Sequence, residues 1–499
     1  MAEILAVGFA VPRRRLSGEL LDAAWRPPST AAPENVADGT ADGDKKRKRP
    51  AQARAVVGYD EDAITLAVQS AWDALDSLRG SHFDAQSIDC LIFASTTFPF
   101  LERSPSAFVK ETLGLADGVR TLNVSGSIAG GIDALLTAND LVDRGAHTTA
   151  LVLAADTRTA PPGDPSEALL GDAGCAFVLG TSRGGGSGAA PALASIGIAA
   201  RATATTADPW RVDGERTLRS DDVRLARSHY ARLTRQALEA LSDKGVALTE
   251  FDGVIPYAPD PKSGMRVVKS IGLDVRRHYR DFASIHLGLC GSAHVPLMLA
   301  AALVRAAPKE RLLVLSYGDG ASAFVVETSP ESRESAGFER LDRAIAAALP
   351  VRSYAKYLES RGLIGGRHEG GEVFASEAML DREKGRFLRL EAGACRSCGA
   401  LYYTDVKRCP SCGAEEGFER RRLARTGTVF TFTREHYYPT PEPPLTMAVL
   451  DLDGGGRVTL QVADDDASVE IGTPVELVLR RMHGALGRPN YFWKCRKRI

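Results

Sequence analysis

The apolar positions of the first 330 residues fall into two recurring patterns. Short continuous runs such as "TALVLAAD" (149–156) and "ERLLVLSY" (310–317) read as strands buried on both faces. Between them lie stretches of helical period such as "ITLAVQSAWDALDSL" (64–78) and "YARLTRQALEALSDKG" (230–245). The patterns occur twice in one order: helix, strand, sharp turn into a helix, strand, strand. "DCLIFAST" (89–96) matches "FDGVIPYA" (251–258), and "LNVSGSIAGGIDALL" (122–136) matches "SIHLGLCGSAHVPLML" (284–299). "GDAGCAFVLG" (171–180) matches "GDGASAFVVE" (318–327). A duplicated αβ chain of this kind predicts two similar α/β layers around shared helices, with halves of about 1–185 and 186–330. Equivalent strand ends should converge near a pseudo-twofold axis and form one site from both halves.

The pattern then changes. Residues 26–56 are polar, rich in Pro and Gly and without apolar period, which reads as a loop. Its "KKRKR" (45–49) reads as a solvated run. Residues 331–390 read as a connector with one good helix signal. From 427 to 499, alternating strands such as "TGTVFTFTREHYY" and "RVTLQVA" predict a small barrel.

Composition narrows the class. The chain has 499 residues, 44% hydrophobic, with a net charge of −1, so nothing global points to nucleic acid or to a membrane surface. No apolar run approaches the roughly 20 residues that span a bilayer. Four of the eight cysteines form two CxxC pairs, and the rest are scattered. That usage fits a reduced, cytoplasmic protein with a metal site rather than a disulfide framework. Cys395, Cys398, Cys409 and Cys412 give two knuckles whose thiolates form a tetrahedral set, which suits structural zinc in a ribbon over 391–426.

The run "LNVSGSIAGGIDALL" poses the chemical question. A strand that turns sharply into a helix presents open N–H groups and favours negative charge, which is where many folds mount a nucleophile. The candidate at this turn is Ser127, a poor nucleophile without a neighbouring base.

These pieces, with "ASTTFPF" and "SYGDGAS", resemble the thiolase superfamily, closest to its 3-hydroxy-3-methylglutaryl-CoA synthase and ketoacyl synthase III branch. Residues 390–499 resemble the zinc-ribbon plus OB-fold domain that accompanies such enzymes. The resemblance implies a layered αβαβα fold, a homodimer and chemistry on coenzyme A thioesters; a partner thiolase belongs to the scaffolding reading below. It places the family's nucleophilic cysteine on Ser127, its histidine on Tyr257, its asparagine on Leu289 and its glutamate on Thr96. The glycine loop survives at Gly318–Gly320, where a backbone N–H would help form an oxyanion hole. His294 is the histidine nearest the inferred site, and Cys290 is a weaker candidate nucleophile. Tyr257, in the histidine's place, is expected to move a proton to or from a substrate hydroxyl.

Three functions follow. The first is an enzyme that makes or breaks a C–C bond beside a CoA thioester, an acyltransferase-type synthase or an aldolase-type lyase. The second is a catalytically silent acyl-CoA-binding or scaffolding protein, for which the lost triad argues. The third, a zinc-ribbon nucleic-acid binder, leaves the first 330 residues unexplained.

Overall fold

The computed structural model describes residues 2–25, 53–81, 83–181, 192–206, 209–330, 336–365, 376–438, 440–464, 468–485 and 488–498. The basic run 45–49 lies outside them.

The duplicated strands form one nine-stranded sheet in the order Arg120–Val124, Cys90–Ala94, Thr149–Asp156, Ala173–Gly180, Glu3–Ala10, Ala194–Thr203, Gly320–Thr328, Arg311–Tyr317, Gly253–Pro256. The halves meet where Glu3 and Ile4 pair with Ser195 and Ala194. Each half repeats one order outward from this seam, as the sequence repeat requires. The second half departs from it at its outer edge. The counterpart of Arg120–Val124 shrinks to an isolated parallel bridge between Val254 and Tyr279.

The elbow helices Gly130–Asp143 and His294–Leu303 pack on each other between the halves. They approach closely because residue 131 is glycine, and a Cβ there would overlap the Ser292 carbonyl oxygen. Behind the sheet runs the helix Ala63–Ser77. Its Asp62 N-cap and Thr65 satisfy each other's backbone N–H groups in a capping box.

The segment read as a connector is packed on the first domain. Arg340 pairs with Asp73 at 3.1 Å, Leu349–Pro350 adds a parallel strand beside Arg14–Leu16, and Arg361 reaches the buried carboxylate of Asp172.

The C-terminal sheet has the order 457–461, 445–452, 426–435, 474–485, 488–497. It curls until Ala463 N–H donates to the Cys495 carbonyl at 2.7 Å, so the OB barrel is nearly closed. The barrel docks beside Ala63–Ser77. Leu477, Leu479 and Trp493 share one apolar cluster with Leu66 and Val68 of that helix. Tyr491 donates to the capping Asp62 at 2.6 Å. Arg480 and Lys494, both about 2% exposed or less, meet Glu61 at 2.9 Å and Asp60 at 2.8 Å. Removing one partner of either pair would leave an uncompensated buried charge, which is strongly destabilising.

Candidate functional site

A cavity of about 480 Å³ opens at the first-half elbow, walled by both halves of the duplication. Thr96 and Thr97 follow the strand Cys90–Ala94, and Gly126, Ser127 and Ile128 form the elbow. Arg158 and Thr159 follow the strand Thr149–Asp156, and Gly318 and Asp319 come from the second half. Trp210, Arg211 and Arg216 stand on its loop side. The backbone makes the elbow possible. Gly126 has φ +90° and Gly318 φ +147°, conformations that side chains resist. A Cβ at Gly318 would sit 2.8 Å from both Ser127 Oγ and Ala129 N, so the second-half turn presses directly on the first-half elbow.

The structure therefore brings Ser127, Thr96 and Gly318 together. Ser127 Oγ accepts the Ala129 N–H at 3.3 Å, a local turn bond just ahead of its own helix. The Gly318 N–H closes onto the Gly320 carbonyl at 3.0 Å, so that donor is spent within the turn. Gly320 lies off the cavity wall, where its missing Cβ leaves room for the Ala202 carbonyl.

Sequence reasoning missed Asp156. Its fully buried carboxylate accepts from Ser95 Oγ at 2.9 Å, Thr96 N at 2.7 Å, Thr96 Oγ1 at 3.0 Å, Thr97 Oγ1 at 2.9 Å and Ser292 N at 2.7 Å. Five donors on one carboxylate hold it in place and fix the threonines of the cavity wall. The signal was a lone Asp closing the apolar run "LVLAAD". Arg158, two residues on, was missed as well.

Tyr257 and His294 do not line the cavity. Both are buried, and they meet each other edge to face with ring centres 5.7 Å apart, while Tyr257 stacks on Tyr317 at 6.0 Å. His294 Nδ1 accepts the Cys290 N–H at 3.4 Å. Burial drives the imidazole pKa down to about 4, against the opposing pull of Asp281, so the ring is neutral near pH 7. Cys290 is sealed from solvent and its thiol donates to the Gly288 carbonyl at 3.3 Å. Burial pushes that thiol well above its ordinary pKa, which is the reverse of an activated nucleophile. Leu289 is held in backbone pairing with Leu169–Gly171.

The four ribbon cysteines converge, with their sulfur atoms all within 4.8 Å of one another. The two knuckles are built alike. Cys395 N–H donates to the Ala400 carbonyl and Cys409 N–H to the Ala414 carbonyl, while Gly399 and Gly413 take φ of +77° and +80°. Sγ–Sγ separations of 3.7 Å (Cys395–Cys412) and 3.6 Å (Cys398–Cys409) fit a tetrahedron with metal–sulfur bonds of about 2.3 Å. The donor set thus suits a structural metal.

Among the described residues, none beyond 390 lines the elbow cavity, and the barrel docks on the flank of the first domain. Among the described residues, no helix is long and apolar enough to cross a membrane.

Comparison with known proteins agrees with this layout. A family model for the C-terminal OB-fold domain of ChsH2 matches residues 420–480. The hydroxymethylglutaryl-CoA synthase of Thermococcus onnurineus is 24% identical over 365 residues, covering 71% of this chain and 96% of that protein. The synthase of Archaeoglobus fulgidus is 25% identical, covering 72% and 98%. Among solved structures, an HMG-CoA synthase complexed with CoA superposes with a TM-score of 0.58 at 18% identity, covering 75% of this chain and 94% of that one. The 3-oxoacyl-(acyl carrier protein) synthase III of Pseudomonas aeruginosa gives 0.51 at 20% identity, covering 66% and 99%. By fold and sequence likeness, the chain carries a thiolase-like domain similar to hydroxymethylglutaryl-CoA synthase, followed by a four-cysteine cluster of zinc-ribbon type and an OB-fold of the ChsH2 type.

Proposed function

We propose that this protein acts on acyl-CoA thioesters, making or breaking a C–C bond next to the thioester without a cysteinyl acyl-enzyme. The observation that carries the proposal is the elbow cavity, open and walled by polar groups, with Ser127 on its wall where the resemblance would put a nucleophilic cysteine. Ser127 would orient the thioester. Exposed Arg211 and Arg216 would supply positive charge for the CoA phosphates, and Trp210 a flat apolar surface. Asp319 is the carboxylate among the lining residues and is assigned proton transfer. Tyr257 and His294 act from behind the wall by shaping it. The test is to incubate the full chain with a panel of acyl-CoAs and follow CoA release and C–C cleavage products by mass spectrometry. Turnover should survive iodoacetamide, because Cys290 is sealed. Failure of every acyl-CoA to bind overturns the reading.

One observation favours a second reading, a silent acyl-CoA-binding partner of an active thiolase. Ser127 has no histidine, lysine or carboxylate hydrogen-bonded to it among the described residues. Binding without turnover, restored by adding a thiolase, would select that reading.

Two further assignments belong here. Zinc would be held by Cys395, Cys398, Cys409 and Cys412 and would fix the ribbon's fold. Elemental analysis should find one zinc per chain, and Cys398→Ser should release it while the first domain stays folded. A homodimer would form through the outer edge of the sheet, where Arg120–Val124 has one unpaired side. Light scattering that finds only monomer at micromolar concentration would exclude it.

A further inference from the structure

Arg158 is a buried cation that the chain leaves unanswered. It lines the elbow cavity, is 5% exposed, and its Nε is sealed from solvent with no partner. Among the described residues it makes no hydrogen bond and no ion pair. Arg54 is buried as deeply and also keeps guanidinium nitrogens without a partner, but it does not line the cavity, whereas Arg361 meets Asp172, Arg480 meets Glu61, and Lys494 meets Asp60. The carboxylate nearest along the chain is Asp156. A Cβ on Gly291 would strike both Asp156 Oδ2 and Arg158 Cδ, so the two side chains flank that glycine. Both oxygens of Asp156 are already taken by Ser95, Thr96, Thr97 and Ser292. An unpaired guanidinium held this deep is costly, and the cost is relieved when an anion arrives.

We propose that Arg158 receives a carboxylate on the acyl group, so that the substrate is the CoA thioester of an acid bearing a second, free carboxylate. This rests on the acyl-CoA reading and deepens it. Two sources of an anion are conceivable, the acyl group and the CoA phosphates. Arg211 and Arg216 are exposed and serve a ligand's outer end, whereas Arg158 is buried beside the elbow that would hold the reacting thioester. A planar guanidinium also matches a carboxylate by paired hydrogen bonds, which gives it selectivity over an uncharged chain end.

The experiment measures calorimetric binding of free CoA, butyryl-CoA and succinyl-CoA to the full chain and to Arg158→Met and Arg158→Lys. The last two ligands match in chain length and differ in the carboxylate. The wild type should bind succinyl-CoA about tenfold or more tightly than butyryl-CoA. Arg158→Met should abolish that preference, leave free CoA binding unchanged and unfold at no lower temperature than the wild type. Arg158→Lys, which keeps the charge and loses the fork, should retain part of the preference. Equal loss of affinity for free CoA and both esters in Arg158→Met would assign the residue to the CoA phosphates and overturn the proposal. A destabilised Arg158→Met, with the preference intact in Arg158→Lys and wild type alike, would make the residue structural. CoA esters that bind the wild type without preference defeat this inference alone. If neither CoA nor its esters bind, the acyl-CoA reading fails and this inference falls with it.

Discussion

The duplication builds one turn twice and uses it in two ways. In the first half, Gly171–Asp172 presses into the second-half elbow, where a Cβ on Gly171 would overlap the Leu287 carbonyl. In the second half, Gly318–Asp319 presses into the first-half elbow at Ser127 and Ala129. Each half therefore completes the other's elbow. Asp172 is fully buried, accepts the Val57 N–H at 2.8 Å and pairs with Arg361. Asp319 is exposed on a cavity wall. The strand ends diverge likewise. Asp156 gathers hydroxyl and backbone donors in the first half, whereas its counterpart Tyr317 stacks on Tyr257 in the second. Folding needs both turns to close the core around the pseudo-twofold axis, while chemistry needs only one left open. The half whose turn is locked by Arg361 is the scaffold, and the other is free to carry a site.

The most severe test of this division exchanges the two acids. Asp172→Ala leaves Arg361 buried without its counter-charge and should cost about 3–5 kcal/mol in urea denaturation of the full chain. Asp319→Ala removes an exposed carboxylate and should cost far less stability than Asp172→Ala, about 1 kcal/mol or less, while abolishing turnover. Similar stability losses for the two variants would show that the turns are not divided as described.

A smaller effect should appear with pH. The imidazole of His294 is held at about 4 by burial, against about 6.5 in an unfolded chain. A base whose pKa is depressed by folding lends its full stability above the unfolded value and loses it as pH falls toward the folded one. The loss should therefore develop between about pH 6.5 and pH 4 and reach about 3 kcal/mol. Asp281, Arg158 and Cys290 face the ring, so the clean measurement is the difference between wild type and His294→Asn across that window. A flat difference would mean that the ring is hydrated, and the closed second-half elbow would then be open.

Much of this was legible in the sequence because a repeat announces itself through apolar period, and buried strands leave continuous runs. The repeated strand and elbow-helix units, the small barrel and the four paired cysteines follow from such local signals, whereas the joining of both halves' strands into one nine-stranded sheet does not. The cavity residues Ser127, Thr96 and Gly318 were found by their place in the repeat. Asp156 and Arg158 were not, since their roles depend on five donors in one case and on an absent partner in the other. Neither is a property of neighbouring residues in the chain. The resemblance puts Tyr257 at a catalytic place after a strand; in the fold its ring packs on Tyr317 and His294 and does not line the cavity, which no pattern of neighbouring residues signals.

That packing reverses an expectation about the two residues that the resemblance puts at a nucleophile and a histidine position. From sequence, Tyr257→Phe should harm turnover more than Ser127→Ala, because a general acid–base is worth about 10²–10⁴-fold and a hydrogen bond much less. In the folded chain, phenylalanine keeps the stack on Tyr317 and the edge contact with His294, and the lost hydroxyl is not on the cavity wall. Ser127→Ala removes the oxygen that accepts the Ala129 N–H at the point where the thioester would sit. The stability cost should be about 1 kcal/mol, typical of one lost hydrogen bond, and acyl-CoA affinity or turnover should fall by about tenfold. Tyr257→Phe should stay within about threefold of wild type in both, since no direct ligand hydrogen bond is lost. Paired kinetics on the two variants decide the matter. A larger loss for Tyr257→Phe would show that ligand binding draws the tyrosine out of its stack and into the cavity, and the boundary between scaffold half and working half would have to move to include it.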